Sequence, residues 1–271
     1  MPTDALRKVN ELWVPSRFVR DVFLRGGVTE DRVRVIPNGI DTAVFGNEGP
    51  RSRPQGSRGF VFLFVGGALR RKGVDLLLDA YRAAFEVGED VTLLLVVSGA
   101  SGAYQHNSLM QHVLKAANDE IGPHVQLLLE AVDDATLASL YRGCDAFVLP
   151  YRGEGFAMPL LEAMACGRPV ITTAEGPSAD FCTEKTAYLI RAEEVEVPDE
   201  PPPLGDLSGG FTWFEPDFGE LVLTLRRVYE NREETSERGR AAAKYVQKEF
   251  TWTQITSLYA ARIRELVGLQ R

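Results

Sequence analysis

The chain has 271 residues, 45% of them hydrophobic and 25% charged, with a formal net charge of −8. That is ordinary globular composition, enough for one large domain or two smaller ones. The acidic balance argues against a nucleic-acid binder, which would be basic, and against adhesion to an anionic membrane by charge alone.

Cys144, Cys166 and Cys182 are odd in number and widely spaced. They read as small buried hydrophobes in a reducing compartment. His106, His112 and His124 do not cluster with cysteines or carboxylates at ligand spacing, so no metal site is expected. The longest apolar run, "VTLLLVV", is too short to span a bilayer, and the first residues lack a signal-peptide apolar region. A cytoplasmic chain is expected, with at most peripheral membrane contact.

In chain order, "WVPSRFVRDVFLRGG" (13–27) reads as a short helix capped by Ser16 and ended by Gly26 and Gly27. "RVRVIPNGI" gives a short strand stopped by a turn cluster. Residues 46 to 59, rich in Gly, Pro, Ser and Arg, read as a linker or mobile loop. A regular alternation follows. The strands are "FVFLFVG" (60–66), "VTLLLVVSG" (91–99), "VQLLLEAV" (125–132), "AFVLPY" (146–151) and "PVITT" (169–173), with "AYLI" (187–190) as a sixth. Helical segments lie between them: "VDLLLDAYRAAF" (74–85), "SLMQHVLKAANDEIG" ending near Gly122, and "DDATLASLYRGC". This alternation predicts an α/β fold, a Rossmann-like parallel sheet with helices on both faces. Residues 191 to 210 are acidic and proline-rich and read as a solvated loop insertion or a flap near a site. From Glu215 the chain reads as helical to its end.

Ligands of open parallel sheets bind at the carboxyl ends of the strands. After the first buried strand, Gly66 and Gly67 allow close backbone approach, and Arg70, Arg71 and Lys72 stand just before a helix N-terminus. Cations there oppose the helix macrodipole, which suits an intervening anion such as phosphate; a solvated basic loop is the other reading. After the fourth comes "PYRGEGFAMPLLEAMACG". Pro159 suits a first helical position, and Met158 before it cannot cap. Glu162 is the lone carboxylate between Phe156 and Cys166. It faces either a buried cation or a ligand hydroxyl pair such as a ribose diol. Glu154, in a Gly-flanked loop, is either a site residue or a plain exposed glutamate.

Together these segments resemble the retaining glycosyltransferases of family 4, which have the two-domain GT-B fold. The family's E-G-F-G-x-P-x-x-E-A-M-A-x-G-x-P-V is matched from Glu154 to Val170 as E-G-F-A-M-P-L-L-E-A-M-A-C-G-R-P-V, an E-x7-E motif. "WVPSRFVRDVF", "RVRVIPNGID", "FVGGALRRKGVDLLLDAY" and "LYRGCDAFVLPY" extend the likeness over nearly the whole chain. The resemblance implies transfer of a hexose from a nucleotide diphosphate sugar to a glycan, polysaccharide or other acceptor, with no metal or other cofactor. By position, Glu162 would bind the ribose hydroxyls, Glu154 the transferred sugar, and Lys72 the diphosphate. Gly155, Phe156, Ala157, Met158 and Leu160 would line the donor with backbone amides. The base would lie near Glu130 to Val132.

The chain departs from the family in three places. Gly66-Gly67 stands where the family has Gly-Arg, so Arg70 or Arg71 is the expected substitute for the diphosphate arginine, Arg71 the favoured one because it adjoins Lys72. Ala157 replaces a glycine before the helix. And the N-terminal acceptor-binding domain is represented only by its last helix and strand, to about Asn38. Residues 1–45 are therefore expected to be a remnant of that domain plus the hinge, and 46–271 the nucleotide-sugar-binding domain. Little activity is expected without the missing domain or a split partner. The alternative is a non-catalytic nucleotide-sugar-binding module.

Overall fold

Residues 8–97, 108–129, 131–197 and 212–268 are described by the computed structural model. The first unit is a short parallel pair, β1 (Leu12–Val14) and β2 (Val33–Val35), joined through helix α1 (Arg17–Arg25). Ser16 caps α1 by accepting the Val19 amide, and Gly26 and Gly27 end it, Gly27 with φ 88°. Val14, Val28 and Val33 form a small apolar cluster of their own.

The main body is a six-stranded, all-parallel sheet: β3 (Phe60–Gly66), β4 (Val91–Val97), β5 (Val125–Leu128), β6 (Ala146–Leu149), β7 (Val170–Thr173) and β8 (Ala187–Ile190). The spatial order is β5-β4-β3-β6-β7-β8. Every residue of β4, β6 and β7 is buried, as expected for strands covered on both faces. The connecting helices are α2 (Val74–Ala84), α3 (Ser108–Ala117), α4 (Asp134–Gly143) and α5 (Met158–Ala165). Strand order reverses between β3 and β6. That reversal is the switch point of a doubly wound sheet, and it opens a crevice at the carboxyl ends of those two strands.

Several elements differ from the sequence reading. Trp13 and Val14, read as the start of a helix, lie in β1, and Glu215, read as helical, lies in the strand Thr212–Pro216. Helix α3 stops at Ala117, because Asn118 turns its side-chain amide back onto the Leu114 carbonyl (2.8 Å) and Asp119 accepts the Ile121 amide (3.1 Å). Such local bonds compete with the helix ladder. Strand β5 ends at Leu128, short of Val132. The acidic stretch after β8 is not all loop: β9 (Ala192–Glu196) pairs antiparallel with β10 (Thr212–Pro216), from Pro216 opposite Ala192 to Thr212 opposite Glu196. Residues 198–211, the rest of that stretch, lie outside the described residues.

Helices α6 (Phe218–Glu230), α7 (Arg232–Glu249) and α8 (Trp252–Leu266) complete the chain. Helix α8 crosses back to the first unit, with the Trp13 and Tyr259 rings 5.3 Å apart and Arg262 Nε 2.9 Å from Glu11. No helix among the described residues is long and apolar enough to cross a membrane.

Candidate donor-binding site

Two loops meet at the switch point. The first leaves β3 through Gly66 and Gly67 and forms a one-turn 3-10 helix, Arg70–Lys72. Gly73 ends that turn in the left-handed region (φ 74°) and starts α2. A Cβ on Gly73 would stand 2.0 Å from the Pro150 carbonyl oxygen. Only glycine allows this approach, which brings the β3 loop against the β6 loop. A Cβ on Gly66 would come within 3.6 Å of the Lys72 side chain.

The second loop hangs from the first. The Arg152 and Gly153 amides both donate to the Arg71 carbonyl, at 2.8 and 3.1 Å. Arg152, 7% exposed, runs back underneath. Its guanidinium donates to the Arg70 carbonyl (2.7 Å), Asp75 (2.8 Å) and Glu215 of β10 (2.6 Å), and its Cζ lies 5.1 Å from the Trp213 ring centre. Nothing in the sequence identified this residue, since its partners lie 63 to 82 positions away.

Glu154 follows. Its side chain is 9% exposed, so it is not a plain surface glutamate. It forms an ion pair with Lys72, and its Oε1 accepts from Arg71 Nη1 at 3.1 Å. The basic triplet after β3 is thus not a freely solvated loop: two of its cations converge on the first carboxylate of the motif. Arg71 stands half exposed beside Lys72.

Ala157 precedes α5 with φ 67°, the one positive φ among described residues other than glycine. This left-handed conformation costs an alanine about 1–2 kcal/mol. No side chain caps the helix. The Leu160 amide, expected to face the donor, is already committed to the Ala157 carbonyl (3.0 Å), and Pro159 has no N–H. The amides of Phe156, Ala157 and Met158 make no hydrogen bond among the described residues, and they are the donors left at this helix start. Gly155 is held differently: its carbonyl accepts from Ser16 Oγ (2.7 Å), the same hydroxyl that caps α1.

Glu162 lies one turn into α5. Its partner is neither arginine nor lysine: Oε2 accepts from the Tyr141 hydroxyl at 2.9 Å, and none of the described cations forms an ion pair with it. Burial pushes the Glu162 carboxyl above the usual carboxylate range, and Asp134 adds to this, while the Tyr141 hydrogen bond and the Lys72 charge oppose it. Burial first, and the Glu162 charge second, raise the Tyr141 hydroxyl well above its ordinary value, so it remains a donor.

A cleft of about 260 Å³ adjoins the loop at Gly153, between α1 and the β9–β10 hairpin, lined in part by Phe18, Trp213 and Phe214. No group of three His, Cys, Asp or Glu that could hold a metal ion occurs among the described residues. Cys144, Cys166 and Cys182 are free and buried, and burial raises the Cys144 and Cys166 thiols to about 12.

A doubly wound sheet with its cations, free amides and paired carboxylates at the switch point, followed by helices that cross back to an N-terminal unit, is the architecture of a GT-B glycosyltransferase. The family model for glycosyl transferases group 1 matches residues 59–197, and the chain belongs to that family. It is 33% identical over 222 residues to an uncharacterised glycosyltransferase of Methanocaldococcus jannaschii, covering 74% of this chain and 54% of the relative. It is 32% identical over 181 residues to a D-inositol 3-phosphate glycosyltransferase of Acidothermus cellulolyticus, covering 63% and 38%. The chain therefore spans about half the length, or less, of these relatives. Among solved structures, Anabaena HepE in complex with UDP-glucose superposes with a TM-score of 0.73 at 17% identity, over 95% of this chain and 64% of that one. A sucrose-phosphate synthase from Thermosynechococcus elongatus superposes with 0.72 at 24% identity, over 95% and 58%.

Proposed function

We propose that this chain is the donor-binding part of a glycosyltransferase that moves a hexose, with retention, from a nucleoside diphosphate sugar to a glycan, polysaccharide or other acceptor. The observation that carries the reading is the convergence of Lys72, Arg71 and Glu154 at the switch point, beside the unpartnered amides of Phe156 to Met158. The HepE structure, with UDP-glucose bound to the same fold, supports it.

In this reading the diphosphate lies between Lys72, Arg71 and the α5 N-terminus, whose partial positive charge favours an anion. Gly66 and Gly67 give the backbone room to approach it. Glu162 holds the ribose hydroxyls with the oxygen that Tyr141 leaves open. Glu154 receives the hydroxyls of the transferred sugar. As the glycosidic C–O bond breaks, negative charge grows on the leaving diphosphate, where Lys72, Arg71 and the free amides are already in place to stabilise it. The leaving phosphate oxygen takes the acceptor's proton on the same face, so retention needs no protein nucleophile and no metal.

Residues 1–45 are read as belonging with an acceptor-binding domain and 46–271 as the donor domain; the separate cluster of Val14, Val28 and Val33 supports a separate first unit, while Ile36, Ile40 and Phe45 already pack in the main core. The alternative is a non-catalytic nucleotide-sugar-binding module of a larger or split protein.

Calorimetric titration with UDP, GDP and ADP tests the site. One of them should bind, and Glu162→Ala should weaken it at least tenfold. Absence of binding by all three, or an affinity indifferent to Glu162, overturns the reading.

A further inference from the structure

A second concavity, about 360 Å³, lies at the opposite end of the sheet from Lys72 and Glu154, beside the start of β6 and β7. Four guanidiniums line it, Arg51, Arg53, Arg142 and Arg168, with Asp145 as the one carboxylate. Arginine stays charged at any ordinary pH. The concavity thus carries an excess of three positive charges on a chain whose net charge is −8.

Part of this cluster is structural. Arg53 spends its three nitrogens on the Gly143 carbonyl (2.6 Å), the Gly59 carbonyl (2.7 Å) and Asp145 (2.8 Å), stapling the 46–59 segment to the sheet. Arg142, 5% exposed, gives Nε to Pro50 (2.7 Å) and Nη1 to Val44 and Gly46 (3.0 and 3.2 Å). Arg168 gives Nε to Cys166 (3.3 Å) and Nη1 to Cys144 (3.0 Å). Carbonyls satisfy donors but neutralise no charge. The Nη2 groups of Arg142 and Arg168 donate to no oxygen among the described residues, and Arg51 forms no ion pair there. Stapling alone explains Arg53, whose side chain is 40% exposed. It leaves unexplained why Arg51 and Arg168 face the same small space, Arg168 with an unspent Nη2, beside an Arg142 whose guanidinium also reaches the Cys166 thiol.

We propose that this concavity is an anion site for a phosphoryl group, distinct from the donor site and independent of its assignment. Planar guanidiniums with paired N–H groups match phosphate oxygens, and a site with a nearly buried arginine pre-aimed by three carbonyls loses little side-chain entropy on binding.

The test is binding of inorganic phosphate and pyrophosphate at constant ionic strength, followed by calorimetry and by melting temperature. Four proteins are compared: the unaltered chain, the double variant Arg51→Gln/Arg168→Gln, Lys72→Gln, and the three changes combined. Arg53 and Arg142 are left intact so that folding is preserved, and circular dichroism checks it. Phosphate should bind the unaltered chain and Lys72→Gln, and the double variant should lose at least tenfold in affinity for the site that Lys72→Gln retains. A parallel arm uses phosphatidylcholine vesicles with and without phosphatidylglycerol. Vesicle binding lost in the double variant, without binding of free phosphate, would support the same site with its phosphoryl group presented on a lipid. If neither probe binds, or if binding ignores Arg51 and Arg168, the arginines are staples only and the proposal fails.

Discussion

Lys72 and Glu154, 82 positions apart in sequence, form an ion pair across the switch point, and Arg71 joins the same carboxylate from 3.1 Å. The residues expected to hold a diphosphate and a sugar are thus holding each other. The pair keeps a lysine 13% exposed and a glutamate 9% exposed compensated. A diphosphate that took over Lys72 and Arg71 would release Glu154 to accept sugar hydroxyls. In the proposed donor site, diphosphate binding and sugar positioning would therefore be coupled through one carboxylate.

Glu162 should show a trade of stability for binding. Its ordinary value is 4.5, and burial raises it in the folded chain. Between those two values the folded chain holds a proton that the unfolded chain has lost. Stability contributed by this group therefore falls as pH rises through that window, and the full cost is present above the folded value. Glu162→Gln removes the cost while keeping an oxygen for Tyr141. Urea denaturation should find it more stable than the unaltered chain by on the order of 1 kcal/mol near pH 8, with the difference vanishing below about pH 4. The same variant should bind nucleoside diphosphates more weakly.

Tyr141 should act on the ligand only through Glu162. Removing its hydroxyl costs about 1 kcal/mol of stability, and it also frees the carboxylate to rotate. The specific readout is the ratio of affinities for a ribonucleoside diphosphate and its 2′,3′-dideoxy analogue. That ratio should be large in the unaltered chain and fall at least threefold in Tyr141→Phe. A variant that lost stability yet kept the ratio would reduce Tyr141 to a packing residue.

Arg152 is the support beneath both loops. Arg152→Ala leaves Asp75 and Glu215 without their cation and should cost about 3–5 kcal/mol in urea denaturation. Arg152→Lys should recover less than half of this, because one ammonium cannot reproduce the planar fork that reaches Asp75, Glu215 and the Arg70 carbonyl together.

What could be read from sequence follows from range. The alternation of strands and helices, the Ser16 cap and a helix start near Pro159 rest on neighbours within four or so residues, and all three are found in the structure, the helix opening one residue earlier at Met158. The β9–β10 hairpin was not legible, because Ala192–Glu196 is mostly exposed and lacks the burial pattern that marks a strand. The partner of Glu162 was missed for another reason. Tyr141 lies 21 positions away in a helix whose aromatic residue reads as core, and its ring is indeed buried against Phe45 and Phe147 while its hydroxyl alone reaches the site. Arg152 sat in view within "YRGEG", yet its acidic partners come from two distant segments. The free amides could be foreseen from the uncapped Met158-Pro159 start. The commitment of the Leu160 amide to Ala157 could not, because it depends on the left-handed turn at Ala157.

The most direct measurement is the affinity of the bound nucleoside diphosphate, by calorimetry, in Lys72→Gln and Glu154→Gln side by side. Lys72→Gln should weaken it at least tenfold, about 1.4 kcal/mol. Glu154→Gln should tighten it, because Lys72 and Arg71 are no longer held by a competing carboxylate, while the corresponding nucleotide sugar loses its advantage over the bare diphosphate. If both substitutions weaken the diphosphate alike, or neither changes it, Lys72 and Glu154 form a structural ion pair and the donor site lies elsewhere.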